Sequence, residues 1–393
     1  MREKKLKIAI IAPPWLSLYP GCYYGIENVV HSLAGALQKA GHHVELFTVK
    51  GSTTDVAKRH WYHSEDQYKH IHRPWYEATS IIVPHILYAL EAIRKAGDFD
   101  IIHDHNSFMG PAVLSSIDGG LPPALHTLHE PFTDERLVER GIPDNRRLFK
   151  HFKPGGRLHF NAISKKQLQQ APRQMRPLIH GVVHNGLDLD FLPFSTEKGD
   201  YFINVGRIAR DKGQGLAARV CDELGEKFKM AGTITPTITT TRKLAHALAD
   251  TEHLDEWHED LAYYVKEVLP HVAKDKIEYV GVVMGEVKQE LFAKAKGYLA
   301  PYTWEEPFGM SLLEALASGT PVVAYRRGAL PEIVEHGVNG FLCDDAREFR
   351  RYVQRVGEID PAACRKTAEE KFSAARMADD YVKLYRKIIA ESA

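Results

Sequence analysis

The sequence has few cysteines, no long apolar run and no excess of either charge. Its four cysteines, at positions 22, 221, 343 and 364 of 393 residues, show no paired spacing. This scatter indicates reduced thiols in a cytoplasmic protein and favours neither a disulfide framework nor a zinc site. No stretch approaches the ~20 apolar residues of a membrane span. The charged start, residues 1–7, lacks the apolar core of a signal peptide.

The charge balance bears on one class of partner. Lysine plus arginine and aspartate plus glutamate both total 51, so the formal net charge is zero. Nothing in this balance favours a nucleic-acid partner. Hydrophobic residues make up 44% of the chain and charged residues 26%, as is usual for a soluble globular protein. The length predicts two domains.

Strands and helices alternate from the start of the chain. Residues 6–12 and 44–48 are predicted strands, and apolar residues at helical spacing from 26 to 40 predict a helix that Gly41 ends. This is a βαβ unit, in which Gly25 precedes the helix and would let a ligand's phosphates approach the main chain. The spacing is not Gly-x-Gly-x-x-Gly, which disfavours a nicotinamide oxidoreductase.

The first parallel sheet continues with predicted strands at 99–103, 124–128, 160–163 and 181–184 and a helix at 80–96. Ligands of open α/β sheets bind outside the carboxyl ends of the strands. Gly25, His105, His129 and Ser164 all follow strands, so they can converge, although each alone is typical of a turn or cap. The polar segments 51–78, a long loop with a short helix, and 132–156 would face the acceptor.

A second alternation follows the polar segment 193–199, where we place the domain boundary. Predicted strands cover 201–205, 227–231, 277–280, 297–300, 320–324 and 340–343. We therefore predict an α/β protein with Rossmann-like domains at 1–192 and 193–371 and a C-terminal crossover helix at 372–393. The segment 233–275 is long and polar, with helical content at 261–272, and suggests no role.

Two cations, Arg207 and Lys212, flank the turn after the strand at 201–205. Both can reach a pyrophosphate at the start of the following helix, and arginine can do so with two hydrogen bonds. The alternative is a solvated loop that happens to carry charges.

The stretch 302–324 carries the most specific pattern. Glu306 lies in a loop before a helix that begins near Gly309, and Glu314 lies about one turn inside that helix. A helix start binds anions, whereas a carboxylate beside it accepts hydrogen bonds from hydroxyl groups. A nucleotide sugar carries a phosphate group next to a polyol, so this pattern predicts a nucleotide-sugar site. An ordinary βα turn with a capping glutamate is the alternative.

Four motifs, in this order, resemble the retaining glycosyltransferases of family 4, also called group 1, which have the two-domain GT-B fold. They are Gly25-Ile26-Glu27, Asn185-Gly186-Leu187-Asp188, Gly206-Arg207…Lys212-Gly213 and Glu306-Pro-Phe-Gly…Glu314-Ala…Gly319-Thr-Pro-Val. The resemblance spans almost the whole chain and implies two domains that face each other across a cleft, with the C-terminal helix packed on the first. Three further stretches are similar to bacterial members labelled UDP-glucose:tetrahydrobiopterin glucosyltransferases: Ala12-Pro-Pro-Trp15, Trp304-Glu-Glu-Pro-Phe-Gly309 and Tyr325-Arg-Arg-Gly328.

The resemblance implies roles for the matching residues. Arg207 and Lys212 would neutralise the donor diphosphate, Glu306 would hold the donor sugar, and Glu314 would take the ribose hydroxyls. Gly25 would admit the diphosphate, and His129 would contact the transferred sugar. The remaining donor contacts would come from Phe308, Gly309 and Met310 at the helix start and from Val282, Val283 and Met284 beside the base. His105 and Ser164 would lie on the acceptor side.

Family members are thought to react on one face of the sugar, and the donor diphosphate helps to deprotonate the acceptor. This fits a sequence in which no nucleophile and acid/base carboxylate pair can be proposed. Metal dependence is not implied. His103-Asp104-His105 could imitate a cluster of metal ligands, but the family uses this position as a strand end and cleft wall. The co-substrate would be a nucleoside-diphosphate sugar, with UDP-glucose favoured and GDP-mannose as the other choice.

The acceptor is not readable from the sequence. A small molecule, a glycan or a lipid-linked acceptor fits, and so does peripheral association with a membrane. Two other functions stay open: a disaccharide phosphorylase or sucrose-type synthase on the same fold, and a nucleotide-sugar-binding protein without turnover. Products formed with phosphate or a nucleoside diphosphate, and donor hydrolysis by the purified protein, would separate them.

Overall fold

The computed structural model describes residues 4–21, 25–71, 75–117, 119–132, 149, 151–152, 156–235, 238–249, 259–272 and 276–392. The chain forms two compact units. The first comprises Met1–Asp188 and Phe372–Ala393, and the second comprises Leu189–Lys371.

The first unit contains a parallel sheet in the order β3-β2-β1-β4-β5-β6-β7. Its strands are β1 (Lys7–Ile11), β2 (His43–Thr48), β3 (Lys58–Trp61), β4 (Ile101–Asp104), β5 (Ala124–Leu128), β6 (Leu158–Ala162) and β7 (Ile179–Val182). Its helices are α1 (Gly25–Lys39), α2 (Trp75–Ala96), α3 (Met109–Ser116), α4 (Lys165–Gln170) and, at the end of the chain, α14 (Ala374–Ser392). The strand order reverses between β1 and β4.

The second unit contains a parallel sheet in the order β10-β9-β8-β11-β12-β13. Its strands are β8 (Tyr201–Val205), β9 (Lys227–Ala231), β10 (Ile277–Gly281), β11 (Gly297–Ala300), β12 (Val322–Tyr325) and β13 (Gly340–Cys343). Its helices are α5 (Gln214–Leu224), α6 (Thr241–Leu248), α7 (Glu259–Tyr263), α8 (Leu269–Val272), α9 (Gly285–Lys294), α10 (Met310–Ala317), α11 (Leu330–Ile333), α12 (Ala346–Val353) and α13 (Pro361–Phe372). A π-helical turn, Tyr264–Val268, joins α7 to α8.

Both sheets have the strand order of the Rossmann fold, which confirms the predicted fold class. Parallel strands covered by helices on both faces are apolar throughout. In β1, for example, Ile8, Ile10 and Ile11 have no exposed surface. Ile8 pairs with Val44 of β2 and with Ile101 of β4, so the most apolar strands lie at the centre of the sheet.

The C-terminal helix α14 packs on the first unit, as expected. A buried polar network connects it to the sheet. The Tyr385 hydroxyl lies 2.6 Å from Nδ1 of His103, whose Nε2 lies 2.7 Å from the Thr127 hydroxyl. Thr127 donates to Asn161 at 2.8 Å and lies 3.0 Å from the Tyr381 hydroxyl. Each group therefore has a partner inside the core, which fixes the register of α14 on the sheet.

Several sequence predictions differ from the structure. The segment 51–78 contains the edge strand β3, whose residues Lys-Arg-His-Trp are mostly exposed and lack an apolar alternation. Strand β7 ends two residues earlier than predicted, at Val182. The segment 233–275 contains α6, which was not predicted because the composition of this segment is polar. Much of the segment 132–156 lies outside the described residues.

Within the described part of the chain, no helix is both long enough and apolar enough to span a membrane. The three cysteines of that part, Cys221, Cys343 and Cys364, are buried and unbonded to one another.

Replacing Tyr385 by phenylalanine tests the buried network. The Tyr385→Phe variant leaves Nδ1 of His103 without its partner in the core, so we expect the free energy of unfolding to fall by about 1–3 kcal/mol. Urea denaturation followed by circular dichroism measures the loss. Tyr62 is 51% exposed, so Tyr62→Phe is the control and should change stability by less than about 0.5 kcal/mol. Equal effects of the two changes would contradict a structural role for the Tyr385 hydroxyl.

Candidate functional site

The candidate site of the second unit lies where its strand order reverses, between β8 and β11. Arg207 and Lys212 follow β8, and Glu306 follows β11. The main-chain N–H of Thr303 donates to the carbonyl of Asp211 at 2.9 Å, which joins the two loops. Ligands of open α/β sheets bind at such a reversal. The fold therefore brings together groups that are almost 100 residues apart in sequence.

Lys212 and Glu306 form an ion pair at this reversal. The side chains are only 19% and 10% exposed. The Lys212 ammonium group also lies 4.5 Å from the ring centroid of Tyr302 and 4.8 Å from that of Trp304. Two aromatic rings and one carboxylate thus hold the cation in a single position, where little water screens its charge.

The main chain of Glu306 is held by the loop before α11. The N–H of Ala329 donates to the carbonyl of Glu306 at 2.9 Å. Gly328 has φ of +55°, and a Cβ there would lie 2.3 Å from the carbonyl oxygen of Glu306 and 2.4 Å from its nitrogen. Only glycine permits this close approach and this left-handed conformation. The position of Glu306 therefore depends on Gly328.

Helix α10 begins beside Glu306, and Gly309 precedes it with φ of +106°. Phe308 is buried, and Met310, at the first helical position, is partly exposed. Glu314 lies one turn inside α10 and forms a 2.6 Å ion pair with Lys288 of α9. Both side chains are only 5% exposed, so Lys288 holds Glu314 in place.

Arg207 contacts two carboxylates in this structure. Its guanidinium lies 2.5 Å from Asp260 of α7 and 2.9 Å from Asp211. Asp260 belongs to the segment 233–275, for which the sequence suggests no role. This segment therefore supplies a buried acid that orients one of the two predicted diphosphate-binding cations.

The residues predicted to lie beside the base follow β10. Val283 is buried and Met284 is 51% exposed. The main-chain N–H of Val282 donates to the carbonyl of Thr239 at 3.0 Å. Thr239 belongs to a threonine-rich tract that immediately precedes α6, so this tract borders the loop after β10. The structure supplies a location for the tract, which the sequence alone does not.

In the first unit, His105 and His129 lie at the carboxyl ends of β4 and β5. Nδ1 of His105 lies 2.8 Å from Nε2 of His129. Burial, and then the neighbouring His126, lower the pKa of His129 to about 3. Burial and the neighbouring histidines likewise lower the pKa of His105. Both rings are therefore neutral at physiological pH, and neither can supply an imidazolium proton.

The three adjacent groups His103, Asp104 and His105 point to different partners. His103 contacts Tyr385 and Thr127, whereas Asp104 lies 2.6 Å from Nδ1 of His126. These adjacent residues, whose sequence imitates a cluster of metal ligands, therefore form hydrogen bonds with separate partners.

A cavity of about 280 Å³ lies at the strand reversal of the first unit. Gly25, Glu27, Ser107 and Glu130 are among the residues that line it. Glu27 is buried, and this burial raises the pKa of its carboxyl to about 7. Ser164 is buried and accepts a hydrogen bond from the N–H of Gln167 at the start of α4. An acceptor role for Ser164 remains a prediction.

Sequence reasoning missed four side chains of these sites: Lys288, Asp260, Trp304 and Glu27. Lys288 and Asp260 are partners of predicted residues, but 26 and 53 positions separate them in sequence from those partners. The sequence did contain a sign of Glu27, because the Gly25-Ile26-Glu27 motif places an acid in the first turn of an apolar helix.

The two units are Rossmann-like α/β domains, and in the second unit ion-paired cations lie at the strand reversal, where ligands of such sheets bind. Comparison with known families gives the narrower class. Residues 23–191 match the model of Glycosyltransferase Family 4, and residues 191–371 match that of Glycosyl transferases group 1. The chain thus contains a glycosyltransferase family 4 domain followed by a glycosyltransferase group 1 domain, which confirms the resemblance of the motifs to these families.

Individual relatives are distant. The chain is 26% identical to the MMP alpha-(1->4)-mannosyltransferase of Mycolicibacterium hassiacum, over 93% of this chain and 95% of that protein. It is also 26% identical to spore coat protein SA of Bacillus subtilis, but this match covers 33% of the chain and only 37% of the relative. The crystal structure of Anabaena Alr3699/HepE in complex with UDP-glucose has a TM-score of 0.65 at 17% identity, covering 97% and 100% of the two chains.

Replacing Gly328 by alanine tests how Glu306 is held. The added Cβ would collide with the main chain of Glu306, so we expect Gly328→Ala to lower the free energy of unfolding of the second unit by about 2–4 kcal/mol. Gly337 has φ of +82°, and a Cβ added there would meet no atom within 4 Å. Gly337→Ala therefore isolates the conformational strain and should cost only about 1–2 kcal/mol. Thermal and urea denaturation measure both. A Gly328→Ala variant as stable as Gly337→Ala would show that the contact is not required.

Proposed function

We propose that the protein transfers a hexose from a nucleoside-diphosphate sugar to a hydroxyl group of an acceptor, with retention of the anomeric configuration. The Lys212–Glu306 ion pair at the strand reversal is the observation that carries this proposal. A partly buried lysine can neutralise a donor diphosphate, and a partly buried glutamate can accept hydrogen bonds from sugar hydroxyls. On donor binding, Lys212 would exchange Glu306 for the diphosphate, and Glu306 would exchange Lys212 for the sugar hydroxyls.

The nucleoside would bind along α9 and α10. Glu314 would accept hydrogen bonds from the ribose hydroxyls, and the buried Lys288 would hold its carboxylate in position. The base would lie near Val282, Val283 and Met284, and the N–H groups at Phe308, Gly309 and Met310 would meet the phosphates or the sugar. Burial of the Lys288–Glu314 pair supports a fixed ribose contact, because a paired carboxylate in the core cannot turn away into water.

Trp304 supports a ligand at this position. Its indole Nε1 is buried and has no hydrogen-bond partner among the residues that the structure describes. A buried N–H without an acceptor costs about 1–3 kcal/mol. An oxygen of the donor would remove that cost.

The proposed reaction breaks the bond between the anomeric carbon and the diphosphate oxygen and forms one between that carbon and the acceptor oxygen, on the same face of the sugar. The acceptor proton passes to the departing diphosphate oxygen. Lys212 stabilises the charge that develops there, and Arg207 would assist once it leaves Asp211 and Asp260. His129 would contact the transferred sugar as a neutral hydrogen-bonding group, in keeping with its lowered pKa.

UDP-glucose is the favoured donor and GDP-mannose the other candidate. The UDP-glucose complex of the Anabaena protein and the mannosyltransferase relative support these two classes. The acceptor would be a small molecule, a glycan or a lipid-linked molecule that uses the cavity lined by Gly25 and Glu27, with His105 nearby. Independence from metal ions remains a prediction.

Two assays test the proposal as a whole. Purified protein is incubated with UDP, GDP and ADP sugars, bound donors are identified by thermal shift, and products with candidate acceptors are analysed by mass spectrometry. We expect a new α-linked glycoside from an α-linked donor, which the proton coupling of the anomeric centre in NMR identifies. A β-linked product would contradict retention, and binding without transfer or donor hydrolysis would indicate a non-catalytic protein.

Replacing Lys212 tests its contact with diphosphate. We expect Lys212→Gln to weaken UDP binding by roughly 10- to 100-fold, because a charge-assisted hydrogen bond contributes about 1.5–3 kcal/mol. Uridine lacks phosphate, so its affinity should change less than threefold. Calorimetry with both ligands measures the difference, and Lys227→Gln, which removes an exposed surface cation, is the control. Equal loss for UDP and uridine would exclude a phosphate contact.

Replacing Glu306 tests its role in turnover. Glu306→Gln keeps the shape of the side chain and removes its charge, so we expect transfer to slow by roughly 10²–10³-fold, the scale found when one transition-state contact is lost. Glu305→Gln makes the same chemical change next to it, where the side chain is 36% exposed, and should retain activity within about threefold. The melting temperatures of both variants check folding. Wild-type transfer by Glu306→Gln would overturn the assignment.

A further inference from the structure

Two histidines and a glutamate meet at the edge of the first sheet, away from the strand reversal. His159 lies on β6, His180 on β7 and Glu391 in the last turn of α14. One potential ligand atom from each lies within 4.8 Å of the other two. No role in the proposed reaction accounts for this cluster, which joins two strands to the end of the chain.

We propose that this cluster binds a divalent transition-metal ion, with Zn²⁺ as the best fit. Two imidazoles and one carboxylate are a common set of zinc ligands, and the fourth position would hold water. Zinc bonds of about 2.1 Å in tetrahedral geometry hold the ligand atoms about 3.4 Å apart. Nδ1 of His159 and Nε2 of His180 are now 2.9 Å apart, so a small displacement opens room for the ion.

The least buried ligand can make the larger adjustment. The Glu391 side chain is 43% exposed and lies 3.1 Å from Nδ1 of His180, whose side chain is 17% exposed. Rotation of the glutamate, at the end of a helix, would turn its oxygen to the metal without disturbing the core. His159 is 8% exposed and anchors the site.

Neutral imidazole is the form that binds metals. One neighbouring charge lowers the affinity expected of this cluster. The Lys387 ammonium group, 3.4 Å from the carbonyl of His180, opposes a cation and makes binding weaker than in a structural zinc site.

Without metal, the same groups can form a chain of hydrogen bonds. His180 would donate to Glu391 and accept from His159, whose Nε2 lies 3.4 Å from the Ser392 hydroxyl. A bound ion would replace this chain by stronger bonds that fasten the last turn of α14 to β6 and β7. The structural consequence is a more stable first unit when zinc is present.

Zinc titration of the untagged full chain tests the proposal. After treatment with EDTA and its removal, ZnCl₂ is added in a calorimeter, and melting temperatures are measured with and without zinc. We expect one ion per chain, with a dissociation constant on the order of micromolar, and a higher melting temperature with zinc. No saturable binding, or several equivalent weak sites, would overturn the proposal.

Three variants distinguish this site from the other histidines of the chain. His180→Gln should abolish the one-to-one binding, and Glu391→Gln should weaken it at least about tenfold. Glu370→Gln makes the same change on an exposed helical glutamate of α13 and should leave binding unchanged. Unchanged zinc affinity in His180→Gln, or equal effects of Glu391→Gln and Glu370→Gln, would place the metal elsewhere and refute the assignment. Because these experiments measure zinc binding and stability, their outcome does not depend on whether the protein transfers a sugar.

Discussion

The candidate site depends on one electrostatic interaction, the partly buried ion pair of Lys212 with Glu306. Opposite charges removed from water stabilise each other, but each has lost most of its hydration. Tyr302 and Trp304 flank the cation, and Gly328 fixes the main chain of the acid. The pair is thus held at a defined place, and in the proposed reaction it would exchange its partners with the donor.

The same principle recurs around the site. Lys288 holds Glu314, and Asp260 with Asp211 holds Arg207. Each of these side chains therefore has a partner of opposite charge, which sets its geometry. In the proposed reaction, such pre-organisation would lower the entropy lost on binding, and the pairing keeps the charges from being unpaired in the core. A donor would then compete with these internal partners, most of all at Arg207, which has two.

The sequence predicted the fold well where burial decides it. The strands at 124–128, 201–205 and 340–343 have the predicted bounds, because almost all of their residues are buried and form short apolar-rich runs. The strand at 227–231 also has the predicted bounds, although it begins with an exposed lysine. The edge strand β3 escaped prediction because its residues face water and carry no such pattern. Helix α6 escaped for the same reason, in a segment whose composition is polar.

The sequence motifs single out individual residues of the candidate site but not the pairs that these residues form. Motifs near loops identify Glu306, Lys212 and Glu314, whereas their partners depend on which strands become neighbours. Lys288 in α9 shows no local signal that it would meet Glu314, and Asp260 lies in a segment with no recognisable motif. The His159–His180–Glu391 cluster likewise exists only after β6, β7 and α14 are assembled. Tertiary pairing is the information that a single sequence does not display.

The UDP affinity of the Glu306→Gln variant tests the central interaction most directly. If Glu306 competes with the donor diphosphate for Lys212, removing its charge frees the ammonium group. Calorimetry should then show that UDP, which has no sugar, binds the variant more tightly than it binds the wild-type protein. Weaker binding of UDP to the variant would contradict the view that the ion pair exchanges its partners with the substrate.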